Sequence, residues 1–201
     1  MANLPSLVMM NRVGRVREIL TRDPGVINDF VPPLLVVAID ENEDDVKSMI
    51  DTLLFFGADP NVIYRGTTPL IMAITEIRHY NPVGIIQSLI IAGADVNLMA
   101  IGESPLMSTI SFNSDYIVDI VQALIISGAD VDIQNRRGYT AMMILLSNYS
   151  RFRQAEFLTL FDILCIAGAD LDTVENDQGM TAIDYIQRLP IKEMVLSRIR
   201  H

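Results

Sequence analysis

Few residues in this chain have the types and spacing needed for catalysis or metal binding. It has one cysteine, Cys165, and two histidines, His79 and His201, which stand far apart in the sequence. There is no Cys/His cluster with metal-ligand spacing, no Gly-rich phosphate loop and no nucleophile beside an evident base. Cys165 occupies the same register as Ile90 and Ile125 in an apolar segment, which favours a packing role. We therefore expect no catalytic residue, no metal and no cofactor.

Carboxylates recur at regular intervals, and their spacing argues against a catalytic array. Asp59, Asp95, Asp130 and Asp170 each close a Gly-Ala-Asp triplet. Catalytic carboxylates have to converge, whereas these lie a repeat apart, so we expect each to serve the turn after its helix. The acidic run 40–45 either binds a basic partner or is a solvated loop that places negative charge at the next helix N-terminus, and the second interpretation is favoured.

The elements that position these residues form a repeat. Gly-Ala-Asp occurs four times, at intervals of 36, 35 and 40 residues, each copy after a short apolar run. A triplet resembling Thr/Ser-Pro-Leu follows each copy after a short loop. The four triplets are Thr68-Pro69-Leu70, Ser104-Pro105-Leu106, Thr140-Ala141-Met142 and Thr181-Ala182-Ile183.

Each part of this signature has a physical reason. Thr or Ser is a good N-cap, and Pro is tolerated at the first helical position, where its missing N–H would have no partner. Apolar residues such as Val118, Val121, Leu124 and Ile125 fall on one helical face. The Gly of Gly-Ala-Asp can adopt the left-handed conformation that ends a helix. One unit is therefore predicted to be helix, turn, helix and extended loop.

The signature resembles the ankyrin repeat. The matches are Gly66-Thr67-Thr68-Pro69-Leu70, Gly138-Tyr139-Thr140 and Gly93-Ala94-Asp95-Val96-Asn97. The resemblance implies an all-α fold, an ankyrin-repeat solenoid of about six stacked helix pairs with hairpin-like connecting loops. We expect residues 1–201 to be a single domain with approximate units 1–29, 30–65, 66–101, 102–137, 138–178 and 179–201.

The chain departs from the family pattern in two ways. The histidine that usually follows Thr-Pro-Leu is replaced by Ile71, Met107, Met143 and Asp184. The hydrogen bonds by which this histidine usually links neighbouring loops are therefore not expected here. The units are also longer than usual, with the excess mainly in 75–84, 111–116 and 147–156. Such long units without the histidine resemble ankyrin proteins of intracellular bacteria and large viruses.

Charge and composition limit the classes of partner and the cellular locations that suit this chain. The formal net charge is −10 and the pI is near 4.5, which disfavours nucleic acid as a partner. One cysteine excludes an internal disulfide and suits a reducing compartment. The N-terminus is a poor secretion signal, and no apolar run is long enough to span a bilayer. We expect a soluble cytoplasmic monomer without membrane insertion, located in the host cytosol if it is a secreted effector.

The resemblance also implies where a partner protein binds. Ankyrin partners commonly contact the loop tips and the exposed side of the first helices. Tyr, Arg and exposed apolar residues are typical binding anchors. The predicted partner-binding residues are Tyr64, Arg65, Met99, Ile101, Phe112, Arg136 and Arg137. The alternative is that Ile63, Met99 and Ile101 pack the hairpins against one another.

These observations favour a non-catalytic protein–protein interaction module, which acts as an adaptor, an inhibitor or a host-directed effector. The alternative is a small enzyme with its site in the inter-helix insertions near His79, Tyr80 or Tyr149, or a fragment of a larger enzyme.

Overall fold

The computed structural model describes residues 3–41, 46–76, 81–112 and 115–199. Within these ranges the chain forms twelve α-helices, two short 3-10 helices (Pro24–Asn28 and Tyr149–Arg151) and no β-strand. The α-helices are α1 (Leu4–Met9), α2 (Val13–Arg22), α3 (Leu34–Glu41), α4 (Lys47–Phe55), α5 (Pro69–Thr75), α6 (Val83–Ile91), α7 (Pro105–Phe112), α8 (Ile117–Ile126), α9 (Ala141–Ser147), α10 (Gln154–Ile166), α11 (Ala182–Gln187) and α12 (Lys192–Ile199). The predicted all-α class is confirmed. None of the described helices combines the length and hydrophobicity needed to span a bilayer.

The helices form two compact units, Met1–Ile101 and Gly102–His201. In the first unit, α1, α3 and α5 contact in succession, as do α2, α4 and α6. The second unit repeats this arrangement with α7, α9 and α11 and with α8, α10 and α12. Each unit therefore stacks three helix pairs, and the predicted total of six pairs is confirmed. A single domain over 1–201 stays a prediction.

The helix starts follow the predicted capping chemistry. The hydroxyl oxygens of Thr68, Ser104 and Thr140 each accept a hydrogen bond from the backbone N–H three residues later, at 3.3 Å. At the start of α11, the Asp184 carboxylate accepts from the Thr181 backbone N–H at 2.9 Å. Each of these bonds satisfies a backbone donor at a helix start that would otherwise have no partner.

The Gly-Ala-Asp triplets end the second helices as expected. Gly93 has a φ of +95°, and the equivalent glycines of the other three triplets have φ of +89° or +91°. The leucines four residues before these glycines are fully buried. The residues that directly follow these leucines are only half-buried. They are Leu54, Ile90, Ile125 and Cys165. The core of each unit therefore lies between the two layers of helices.

The repeated aspartates stabilise turns. The Oδ1 atoms of Asp59 and Asp95 accept from the backbone N–H two residues later at 2.8 Å, and Asp130 and Asp170 do the same at 3.0 and 2.9 Å. Each aspartate is therefore used locally, as the sequence predicts.

Neighbouring repeats are tied by side chains other than the absent histidine. Asn61 donates from Nδ2 to the Gly93 carbonyl at 2.9 Å and accepts from the Asp95 N–H at 2.7 Å. Asn28 makes the same two bonds to Gly57 and Asp59, both at 3.0 Å. Because each asparagine both donates and accepts, the loops of the first unit are linked despite the missing histidine.

Candidate partner-binding groove

A groove lies in the first unit between two first helices, α3 and α5, and the hairpin tips. It encloses about 330 Å³ and is lined by Val36, Asp40, Tyr64, Arg65, Thr67, Met72, Thr75, Glu76 and Ile101. An adjoining compartment of about 240 Å³ shares four of these residues and adds Pro5, Met9, Pro32 and Val37. The groove is thus a surface of mixed apolar, aromatic and charged character, which is typical of a protein-binding site.

The groove is built from equivalent positions of successive repeats. The 36-residue interval between Pro33 and Pro69 also separates Val36 from Met72, Asp40 from Glu76 and Arg65 from Ile101. Each pair occupies one position of the repeat. The folding of the repeats therefore places these side chains on one surface.

The tip at Tyr64–Thr67 is a two-residue hairpin turn. Tyr64 and Thr67 exchange two backbone hydrogen bonds, at 3.0 and 3.1 Å. The φ of Arg65 is +51° and that of Gly66 is +80°, which is the pattern of a type I′ turn. The Arg65 guanidinium carbon lies 5.2 Å from the Tyr64 ring centroid, so the two side chains form a cation–π pair.

Ile101 at the next tip has a strained backbone. Its φ is +50°, in the left-handed region that β-branched residues rarely adopt. The Ile101 N–H donates to the Gly66 carbonyl oxygen at 3.0 Å, which ties this tip to the preceding one. The side chain is nevertheless 67% exposed. An exposed apolar residue in a strained conformation marks a candidate functional position.

Comparison with known proteins identifies the repeats. The sequence profile described as "Ankyrin repeat" matches residues 65–100 and 101–136. The chain carries ankyrin repeats. A search of curated proteins found no match to its sequence. Ankyrin repeats are generally protein-interaction modules, and their fold is typically a non-enzymatic scaffold.

Solved structures show that this ankyrin fold extends beyond the matched repeats. A crystallised ankyrin repeat protein has a TM-score of 0.74 at 21% identity, covering 98% of this chain and 93% of its own. An ankyrin repeat domain from Acinetobacter baumannii AYE has a TM-score of 0.80 at 19% identity, covering 97% of this chain and 96% of its own. At these identities the likeness establishes the fold.

The ankyrin fold brings together only some of the predicted binding residues. Tyr64, Arg65 and Ile101 line the groove. Met99 belongs to the same unit and is 37% exposed, but it is not part of the lining. Phe112, Arg136 and Arg137 belong to the second unit, where Phe112 is half-buried at the end of α7 and both arginines are exposed.

Arg137 already has partners within its own unit. Its Nε lies 3.7 Å from an Asp177 carboxylate oxygen, and its guanidinium carbon lies 5.3 Å from the Tyr139 ring centroid. An arginine engaged in this way has fewer donors to offer a partner protein than Arg65 has.

Tyr149, the one described residue of the enzymatic alternative, lies in the 3-10 helix Tyr149–Arg151, and its ring packs edge-on against that of Phe157 with the centroids 4.9 Å apart. Burial, with a smaller effect from Asp162, raises the pKa of the Cys165 thiol to about 11, which leaves it protonated at neutral pH. Burial, together with a 2.8 Å hydrogen bond to the Tyr139 hydroxyl, raises the pKa of Tyr185 to about 12. No cluster of metal-binding side chains occurs among the described residues. His79, Tyr80 and His201 lie outside those residues.

Sequence reasoning missed several lining residues. The sequence favours a solvated loop for the acidic run 40–45, but Asp40 lies in α3 and lines the groove. The rest of the run lies outside the described residues or is described only in its backbone. Val36 and Met72 lie in apolar helical runs and resemble core residues. The 36-residue interval is the sequence feature that could have indicated them. It places Val36 and Asp40 of α3 at the same repeat positions as Met72 and Glu76.

Proposed function

We propose that this ankyrin chain is a non-catalytic interaction module that holds a partner protein through the groove and its hairpin tips, as an adaptor, an inhibitor or a host-directed effector. The observation that carries the proposal is that Tyr64, Arg65 and Ile101 line one groove. Met99 and, in the second unit, Phe112, Arg136 and Arg137 stay predicted partner-binding residues outside this groove.

The energetics of the tips support binding rather than folding as the role of these side chains. Ile101 is exposed and has a left-handed backbone, so glycine or asparagine would suit its turn better. Arg65 occupies the same unfavourable region. Side chains that weaken the fold and remain exposed need another reason for their presence, and contact with a partner supplies one.

The chemistry of the chain favours a protein as that partner. A net charge of −10 opposes binding to nucleic acid phosphates. The groove combines an aromatic ring, a guanidinium and aliphatic side chains, which are the residue types that dominate protein interfaces. We propose that the chain acts as a monomer in a cytoplasmic compartment.

The test is affinity purification with matched double variants. Tyr64→Ser/Ile101→Ser removes one aromatic and one aliphatic side chain from the groove. Phe55→Ser/Ile91→Ser removes the same kinds of side chain at the ends of α4 and α6, where they are 78% and 87% exposed. Circular dichroism first shows that both variants keep the wild-type helicity and thermal midpoint.

The expected result is specific to the groove. Quantitative mass spectrometry of proteins retained from bacterial and eukaryotic lysates should show a protein held by the wild type and the control, and reduced at least about tenfold with the groove variant. Equal retention by all three forms would remove the groove from the proposal. Absence of any retained protein in every lysate would argue against the interaction module itself.

A further inference from the structure

The charges of the groove specify what kind of segment it binds. Asp40 and Glu76 are exposed carboxylates that line it, and Arg65 is its only cation among the described lining residues. No ion pair joins Arg65 to Asp40 or Glu76 in the described structure, since its guanidinium lies over the Tyr64 ring. The lining therefore carries two carboxylates that Arg65 does not neutralise.

Both carboxylates stand where negative charge does not help the fold. Asp40 is in the last turn of α3, and Glu76 is the C-cap residue of α5. The C-terminal end of a helix carries partial negative charge, so an anionic side chain there is unfavourable and a cation is favourable. A cationic ligand would gain from the carboxylates and from both helix ends.

The repeat geometry sets the approximate spacing of the two backbone positions that carry these charges. Asp40 and Glu76 are equivalent positions on α3 and α5, and these two helices contact each other. Packed helices lie about 8–10 Å apart. A polyproline II chain rises about 3.1 Å per residue with three residues per turn. Residues three positions apart in such a chain are therefore about 9 Å apart and on the same side.

The remaining lining residues suit the backbone of such a chain. Val36 and Met72 contribute apolar surface, and Tyr64 contributes an aromatic ring. Aromatic and apolar grooves are the usual recognition surface for polyproline II segments, whose extended form is largely preformed. The groove therefore offers apolar surface to the middle of the segment and a carboxylate to a basic side chain at either end of it.

We infer, resting on the proposed function, that the groove binds an extended, polyproline II-like segment of the partner protein that carries two Arg or Lys residues three positions apart. One basic side chain pairs with Asp40 and the other with Glu76, while the residues between them lie against Val36, Met72 and Tyr64. The second unit has no such pair, because the equivalent positions there are Phe112 and Asn148. The specificity therefore belongs to the first unit.

The experiment uses the full chain and fluorescein-labelled peptides rich in Pro and Leu. Each peptide carries one Arg and a second Arg one, two, three or four positions later, and a matching set carries Glu in both places. Fluorescence anisotropy is measured at low salt, about 50 mM, because screening weakens exposed pairs. The protein variant is Asp40→Asn/Glu76→Gln. The control is Asp23→Asn/Asp29→Asn, which removes two exposed carboxylates of the same unit outside the groove.

The inference requires the peptide with Arg three positions apart to bind most tightly. Its Kd should rise about tenfold with Asp40→Asn/Glu76→Gln and stay the same with the control. The thermal midpoint of Asp40→Asn/Glu76→Gln should equal or exceed that of the wild type, so lost binding cannot come from unfolding.

Two results would overturn the inference in different ways. If Glu peptides bind as well as Arg peptides and Tyr64→Ser/Ile101→Ser abolishes both, the groove holds a partner but does not select a basic one, and the proposed function stands. If no peptide binds and Tyr64→Ser/Ile101→Ser retains the same lysate proteins as the wild type, both the inference and the groove assignment fail.

Discussion

The two units build their hairpin tips differently. A Cβ atom added to Gly66, at the tip of the first unit, would have no neighbour within 4 Å. One added to Gly138 in the second unit would lie 2.6 Å from the Cα of Asn176. Arg65 lines an open groove, whereas Arg137 pairs with Asp177 and Tyr139. The first tip leaves its side chains available to a partner, and the second uses them to hold neighbouring repeats together.

The hydrogen bonds that link neighbouring loops also differ between the two units, but in the opposite sense. Asn28 and Asn61 in the first unit each donate one hydrogen bond and accept another. Asp132 takes the equivalent place in the second unit and accepts from the Asp170 N–H at 2.9 Å. An ionised carboxylate cannot donate to a carbonyl as the asparagine amide does. The second unit therefore has the closer tip packing and the weaker loop tie.

The largest expected effect tests the tip packing. Gly138→Ala should lower the free energy of unfolding by about 3 kcal/mol, because the added methyl group meets backbone atoms of Asn176 and the φ of +74° is strained for alanine. Gly66→Ala has strain without a clash and should cost only about 1 kcal/mol. Urea denaturation of both variants measures the difference. Equal losses would show that the two tips are packed alike.

A smaller effect, of opposite sign, tests the loop tie. Asp132→Asn should raise the free energy of unfolding at pH 7 by about 1 kcal/mol. The asparagine amide would donate to the Gly168 carbonyl, as Asn61 donates to that of Gly93. The repulsion of the Asp132 carboxylate by Asp170 and Asp130 would also disappear. The reverse change, Asn61→Asp, should destabilise the first unit by a similar amount, and thermal and urea denaturation report both.

The pH dependence of the Asp132→Asn effect identifies its cause. Burial, together with the charges of Asp170 and Asp130, raises the pKa of Asp132 above 3.8. The folded state then binds this proton more tightly than the unfolded state, so the associated stabilisation is complete below pH 3.8 and is lost as the pH rises through the raised pKa. The advantage of asparagine should therefore be greatest at neutral pH and shrink in acid. An advantage that is constant between pH 3 and 7 would assign it to the added donor alone.

The parts of the fold that the sequence predicts are those fixed by local chemistry. Thr68 is an N-cap and Asp95 stabilises its own turn because both act on backbone groups two or three residues away. The glycines that end the second helices need a left-handed backbone, which is a property of the residue itself. Short-range rules of this kind repeat in every unit, and the six helix pairs follow from them.

The parts that the sequence does not predict depend on contacts between repeats. The tie made by Asn61 reaches Gly93 and Asp95, and no local rule indicates an asparagine in that role. The groove likewise needs Asp40 and Tyr64, which are far apart in sequence. The left-handed backbone of Ile101 opposes the preference of isoleucine, so propensity would have predicted another conformation.

The smallest expected effect separates stability from binding at the first unit's tips. Ile101→Asn places a residue that tolerates the left-handed region at a φ of +50° and should raise the free energy of unfolding by about 0.5 kcal/mol. The same change removes an aliphatic side chain from the groove, so retention of the partner should fall. Ile91→Asn is the control, because α6 gives it no left-handed strain to relieve and it lies outside the groove lining. In urea denaturation, the free energy of unfolding of Ile101→Asn should exceed that of the wild type, and that of Ile91→Asn should equal it or be lower. In affinity purification, Ile91→Asn should retain more of the partner than Ile101→Asn does. A stabilised Ile101→Asn chain that binds normally would mean that the strained isoleucine serves neither the fold nor the partner.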